Sequence, residues 1–159
     1  MNTKPKKGFT IIEVVLVLAI AGLIFLMVFI ALPNMQRSQR DTQRRNDYSA
    51  LSANMTQYMT NNNGSLPSAL TSADSVKYIN TTGNDPDGLP YRLSVKACAS
   101  GSCSFSFVND NMRENGSQVF VVTNATCENG ALAYSKSKRA FAIYGQLETG
   151  SGTYCQSNS

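Results

Sequence analysis

The chain has 159 residues and carries 14 Lys and Arg against 10 Asp and Glu, for a formal charge of +4. It contains no histidine, so the usual general base is missing. No phosphate-binding glycine loop, nucleophile elbow or framed carboxylate pair appears either, and enzymatic function is not expected. Four cysteines without a histidine or a repeated Cys-x-x-Cys argue against a zinc site, and no cofactor is expected.

The first element is a basic leader, Lys4, Lys6 and Lys7, running through Gly8 into an apolar stretch. From Phe9 to Leu32 only Thr10 and Glu13 are polar, and as a helix the stretch reaches about 36 Å, enough to cross a bilayer. A carboxylate at such a position is costly and demands a positive or hydrogen-donating partner. None lies within the segment, because Lys7 precedes it and Arg37 follows it, so the partner is expected to come from another molecule.

Three plainer readings compete. A secretory signal with a small-x-small site at Ala19-Ile20-Ala21 is opposed by an apolar run that continues well past it, beyond the usual ~7–15 residues. A single-span anchor leaves Glu13 and the Gly8-Phe9 junction as accidents. A core helix does not need so unbroken a run. Charge alone does not orient the segment, since Arg37, Arg40, Arg44 and Arg45 balance the leader lysines.

Gly8-Phe9-Thr10-Ile11-Ile12-Glu13, between a basic leader and a long apolar helix, resembles the prepilin signature of type IV pilins. The resemblance is close over the first 55 or so residues and architectural beyond them. It implies a leader of residues 1–8, cleavage between Gly8 and Phe9 by a prepilin peptidase, and methylation of the new Phe9 amino terminus. Glu13 would then pair with the Phe9 ammonium of a neighbouring copy. Loss of the leader lysines takes the charge from +4 to +1, so the basic balance of the whole chain says little about partners.

The implied architecture is the α+β type IV pilin fold: one long N-terminal helix, its apolar half protruding and its amphipathic half packed on a four-stranded antiparallel sheet. The implied partners are further copies in a helical filament, minor pilins, an assembly platform with its ATPases and, before assembly, the inner membrane. The stretch from Phe29 to Arg45 also resembles pilins of very small host-attached bacteria, which implies attachment and twitching motility through an unspecified receptor. A pseudopilin or competence pilin of a secretion or DNA-uptake system shares the amino-terminal chemistry. A membrane-anchored adhesion domain that never polymerises predicts an uncut leader.

Within the first helix, residues 9–32 form the membrane or filament-core segment and 33–63 the amphipathic half. Gly22 and Pro33 are its weak points, through lost rigidity and a missing hydrogen bond. In type IV pilins a glycine and a proline here bound a segment that unwinds in the filament. Gly22 falls at the expected place and Pro33 three residues late, and a simple bend is an equal expectation. Tyr48, Leu51, Met55, Tyr58 and Met59 make one apolar stripe. Asn61-Asn62-Asn63-Gly64 followed by Pro67 ends the helix. Among the arginines, Asp41 is placed to pair with Arg45 at i,i+4, and subunit packing or lipid headgroups are favoured over DNA.

Residues 64–90 are a Ser/Thr/Asn/Gly/Pro-rich loop with one helical turn expected near Ala73 to Tyr78. In it, Asn84-Asp85-Pro86-Asp87-Gly88 resembles the aspartate-proline turn of major pseudopilins, whose relatives can bind calcium. As a calcium loop it is incomplete, and metal is not expected at Asp85 and Asp87, nor at Asn109-Asp110-Asn111 and Glu114.

Residues 91–159 read as a sheet with strands at Tyr91–Val95, Ser104–Val108, Gln118–Thr123 and Ala140–Leu147. Cys98, Cys103, Cys127 and Cys155 allow three disulfide connectivities. Cys98 and Cys103 lie between two strand-like segments and could face each other across a hairpin, leaving Cys127 for Cys155. The second bridge would close a C-terminal region, as in many type IV pilins.

Overall fold

The computed structural model describes residues 8–67, 84–100, 103–107, 112–149 and 152–158. The expected leader up to Lys7, the helical turn near Ala73 to Tyr78 and the Asn109–Asn111 motif lie outside the described residues. The chain divides into two units, Met1–Arg37 and Ser38–Ser159.

The architecture is α+β: one long amino-terminal helix and a mixed sheet. Helix α1 runs Ile11–Asn61 and is continuous through Gly22 and Pro33. In the first unit its apolar side chains are exposed, from Phe9 at 85% to Leu32 at 45%. No apolar residue of this segment is buried by its own chain, as expected of a surface made for lipid or other helices.

In the second unit the buried positions of α1 are Asp41, Arg44, Tyr48, Leu51, Ser52, Met55 and Met59, one face at helical spacing. The helix stops where Asn63 and Gly64 take positive φ, 54° and 81°, and the Gly64 N–H donates to the Met59 carbonyl at 2.7 Å.

The sheet contains β1 (Arg92–Ala97), β2 (Gln118–Thr123), β5 (Phe141–Gln146) and β6 (Thr153–Ser157), in that order. A short helix α2 (Met112–Asn115) precedes β2. Strands β3 (Ala125–Glu128) and β4 (Ala131–Tyr134) form a separate two-stranded hairpin.

The expectation of an all-antiparallel sheet is corrected here, since β1 pairs with β2 in parallel, Leu93 opposite Val119. A parallel pair needs a long crossover, and the segment between Ala97 and Gln118 supplies it. The described part of the expected strand Ser104–Val108 is not a strand. Its alternation serves a different purpose: Phe105 and Phe107 lie on Phe120, with ring centroids 6.0 and 5.0 Å apart. The cysteine pair Cys98–Cys103 therefore closes the start of a crossover rather than a hairpin, with Cα atoms 4.9 Å apart.

The sheet has a core on each face. Tyr48, Leu51, Met55 and Met59 of α1 pack with Val119, Val121, Phe141 and Ile143 on one side. On the other, Phe120, Val122 and Ala142 are covered by Phe105, Phe107, Leu132 and all four cysteines. Cys127 on β3 is bonded to Cys155 on β6, Cα atoms 5.8 Å apart, which ties the hairpin to the edge strand of the main sheet. Both disulfides thus reinforce the smaller core, where little apolar surface is available.

Tyr48 fixes the helix on the sheet. Its hydroxyl donates to the Gln146 carbonyl at 2.8 Å, and its ring lies against Tyr91 and Tyr154 at 5.8 and 5.9 Å. Gly145 makes room for that ring, because a Cβ there would stand 2.2 Å from Tyr48 Cε2. Gly145→Ala is therefore expected to destabilise the folded domain by about 1–3 kcal/mol through overpacking. Thermal melting of the full chain in detergent, compared with the wild type, checks it; an unchanged midpoint would show that Tyr48 does not hold the helix in this way.

Candidate functional site

The amino-terminal site is built on the start of α1. Gly8, Phe9 and Thr10 precede the helix, and the Thr10 carbonyl accepts from the N–H groups of Glu13 and Val14 at 3.1 and 3.3 Å. Glu13 sits in the first turn, where the helix dipole favours a negative charge. It is exposed and, among the described residues, forms no ion pair. Phe9, Glu13, Val14, Val17 and Leu18 line one groove of about 340 Å³ along the helix. The groove therefore offers an apolar wall and a single unpaired carboxylate, four residues along from Phe9.

The second feature lies in the other unit, and most of it was hidden from sequence reasoning. Arg44, fully buried, is surrounded by carboxylates. Its Nε and Nη2 donate to both oxygens of Asp85 at 3.1 and 2.8 Å, a bidentate fork. Nη2 also reaches Asp87 at 2.8 Å, and Nη1 reaches Glu148 at 2.7 Å and Asp41 at 3.2 Å. Arg40 forks onto Glu148 at 2.9 and 2.6 Å.

Asp41 reaches in the other direction. It accepts from the backbone N–H groups of Glu148 and Thr149 at 2.9 and 2.8 Å and from the Thr149 hydroxyl. Asp85 additionally accepts from the Ser117 and Asp87 N–H groups at 3.2 and 3.1 Å. Three segments distant in sequence are thereby locked together: α1, the Asp85-Pro86-Asp87 turn and the bend after β5.

Two expectations are corrected by this arrangement. Asp41 pairs with Arg44 at i,i+3 rather than with Arg45, whose guanidinium instead lies 5.9 Å over the Tyr154 ring. Arg40 and Arg44 are spent inside the domain and cannot serve lipid headgroups or neighbouring subunits, which leaves Arg37 and Arg45 exposed. The Asp85 and Asp87 carboxylates are likewise engaged by Arg44, so the turn serves as an internal anchor. A signal for this was present: positions 41 and 44 continue the helical spacing of 48, 51, 55 and 59 inward, so charged side chains occupied core positions.

The electrostatics follow from the contacts. The Arg40 fork holds the Glu148 carboxyl at about 2, with Arg44 adding to it against the cost of burial. For Asp85, burial pushes upward, but the Arg44 fork and the Ser117 and Asp87 hydrogen bonds outweigh it and the carboxyl is lowered. Asp41 is also lowered, its burial offset by Thr149, the two N–H groups and Arg44. Burial raises Asp47, which accepts from the Tyr91 hydroxyl at 2.6 Å.

Residues 3–29 match the family model of the prokaryotic N-terminal methylation motif, which spans the Gly8-Phe9 junction, Glu13 and Gly22. No curated protein and no solved structure matches the chain. The match supports the type IV pilin signature in this chain and, with the apolar helix and mixed sheet, a pilin-like structural protein.

The buried cluster makes stability depend on acid. Carboxyls depressed on folding contribute above their ordinary range and lose that contribution as pH falls through the folded value. For Glu148 the window runs from 4.5 down to about 2, with Asp41 and Asp85 acting in the same direction and Asp47 opposing them. The midpoint of unfolding should hold between pH 7 and about 5 and fall steadily below about 4.5. Arg44→Ala, which strands Asp85, should cost about 3–5 kcal/mol at neutral pH and flatten this acid dependence. Melting curves of wild type and variant in non-ionic detergent across that range check both; identical curves would contradict the account.

Proposed function

We propose that this chain is the structural subunit of a type IV pilus, made as an inner-membrane precursor, cut between Gly8 and Phe9, methylated at Phe9 and packed through α1 into a surface filament. The observation that carries the proposal is Glu13 in the first turn of an exposed apolar helix, inside the matched methylation motif and without an ion-pair partner among the described residues. A carboxylate in an apolar environment costs several kcal/mol unless paired. Cleavage ahead of Phe9 creates an ammonium, and in a stack of identical helices that ammonium is the nearest repeated positive charge available to Glu13.

The pairing sets register as well as energy. An ion pair between neighbours tolerates little axial slip, so an otherwise uniform apolar helix acquires a defined offset. Gly22 and Pro33 are the places where α1 would yield if packing demanded unwinding, and Gly22 has open space around it. Prepilin peptidase, an assembly platform with its ATPases and minor pilins are the partners this reading requires. Attachment and twitching motility are the uses proposed for the filament.

Glu13→Gln and Glu13→Ala should leave membrane insertion, leader removal and the fold of the sheet domain intact while reducing surface filaments at least tenfold. Electron microscopy with immunoblotting of sheared and membrane fractions checks this. Normal filament yield from Glu13→Ala would remove the basis of the proposal.

A further inference from the structure

The β3–β4 hairpin has an open edge. It forms a two-stranded sheet of its own, in which β4 pairs on one side, with β3. Asn129 and Gly130, at φ 52° and 79°, make the two-residue turn that fixes its register, Glu128 opposite Ala131 and Cys127 opposite Leu132. The Ser135 N–H donates to the Asn124 carbonyl at 2.8 Å, so the residues of β4 that exchange hydrogen bonds with β3 are Ala131 and Ala133. Antiparallel alternation then turns the N–H and C=O groups of Leu132 and Tyr134 to the outer edge.

Such an edge is ordinarily blunted by a charge, a proline or a bulge. Ala131-Leu132-Ala133-Tyr134 has no charge or proline, and its register is unbroken. Tyr134 is 40% exposed and, among the described residues, is the only exposed large apolar side chain of this unit. By the period of two it shares a face with Leu132, which is half-buried against the Phe120 and Val122 core. The Cys127–Cys155 bridge holds the hairpin on β6 and so presents the edge in a fixed position. Opposite charges stand exposed at its two ends, Glu128 before the turn and Lys136 after β4.

We infer that β4 pairs antiparallel with β4 of a second copy of this chain, about a two-fold axis through Ala133. In that register Leu132 of each copy stands opposite Tyr134 of the other, the outward backbone groups of both strands are paired, and each ring covers the half-buried leucine of its partner. The antiparallel sense brings Lys136 to the turn that carries Glu128 of the partner, once at each end, and keeps the two basic β4–β5 loops apart. Two four-residue strands bury far less than the ~1,200 Å² of a standard interface, so the pair is weak between free monomers and forms where copies are held together. The exposed apolar segment of α1 gathers copies in this way in a micelle or a membrane. A two-fold contact closes on itself and cannot propagate a helix of subunits, so it is separate from the filament packing proposed above. A chain that pairs here yet never polymerises would keep this inference and refute that proposal.

The test is disulfide trapping of the full chain in non-ionic detergent, read by non-reducing electrophoresis. Ala133→Cys, on the axis, should be trapped as a dimer about tenfold faster than Ala50→Cys, exposed on α1. In the Ala133→Cys background, Glu128→Lys and Lys136→Glu should each slow trapping about fivefold, because like charges then meet at both ends. An equal mixture of those two variants should recover the rate, since every charge again meets its opposite. Both charge substitutions are at exposed positions, and the recovery distinguishes a lost contact from a lost fold. Trapping at Ala133→Cys no faster than at Ala50→Cys, charge variants that trap at the parent rate, or a mixture as slow as its components would each overturn the inference.

Discussion

Arg44 is a guanidinium withdrawn from water in the middle of the second unit, and the arrangement of that unit depends on how its charge is met. An isolated ion there would cost several kcal/mol, so every donor must find an acceptor. Asp85 takes the fork, Asp87, Glu148 and Asp41 take the remaining contacts, and Asp41 in turn collects the N–H groups of the bend after β5. The consequence is geometric: a turn 41 residues away and a bend 104 residues away are brought to one point on the helix. Apolar packing of Tyr48, Leu51 and Met55 is non-directional. The ion-pair cluster supplies the directional part.

The first unit faces the opposite problem. Its helix exposes a continuous apolar surface and one carboxylate, and among the described residues nothing answers either. Lipid would satisfy the apolar surface and penalise Glu13; the proposed stack of identical processed helices would satisfy both. The matched methylation motif concerns this same stretch, and on the proposed reading a new amino terminus at Phe9 would supply the missing charge. The two units thus treat charge differently. Arg44 is buried and satisfied within its unit, whereas Glu13 is exposed and, among the described residues, forms no ion pair.

Much of this was legible in the sequence because it depends on periodicity and local turn chemistry. The length of α1, its stop at Asn63-Gly64 and its apolar stripe all follow from spacing over neighbouring residues. Asp41 and Arg44 were not legible as core residues because their partners are distant in sequence, although their positions on the stripe pointed inward. Parallel pairing of β1 with β2 was hidden by the Ser-Phe-Ser-Phe alternation, which reads as a strand but instead lays two rings on Phe120. The β3–β4 hairpin carried a readable signal, Asn129-Gly130 with both residues at positive φ, flanked by short strands. Strand β6, short and polar apart from Tyr154 and Cys155, offers little pattern and owes its place to pairing with β5 and to the Cys127 bridge.

The claim at the centre of this account is that Phe9 becomes a charged amino terminus within a polymer. The direct measurement is the intact mass and amino-terminal sequence of the protein recovered from sheared surface filaments. The account predicts a chain that starts at Phe9, carries one methyl group and is abundant in that fraction. A chain that starts at Met1, or at Gly22 after ordinary signal cleavage, and that stays in the membrane or the medium would contradict it.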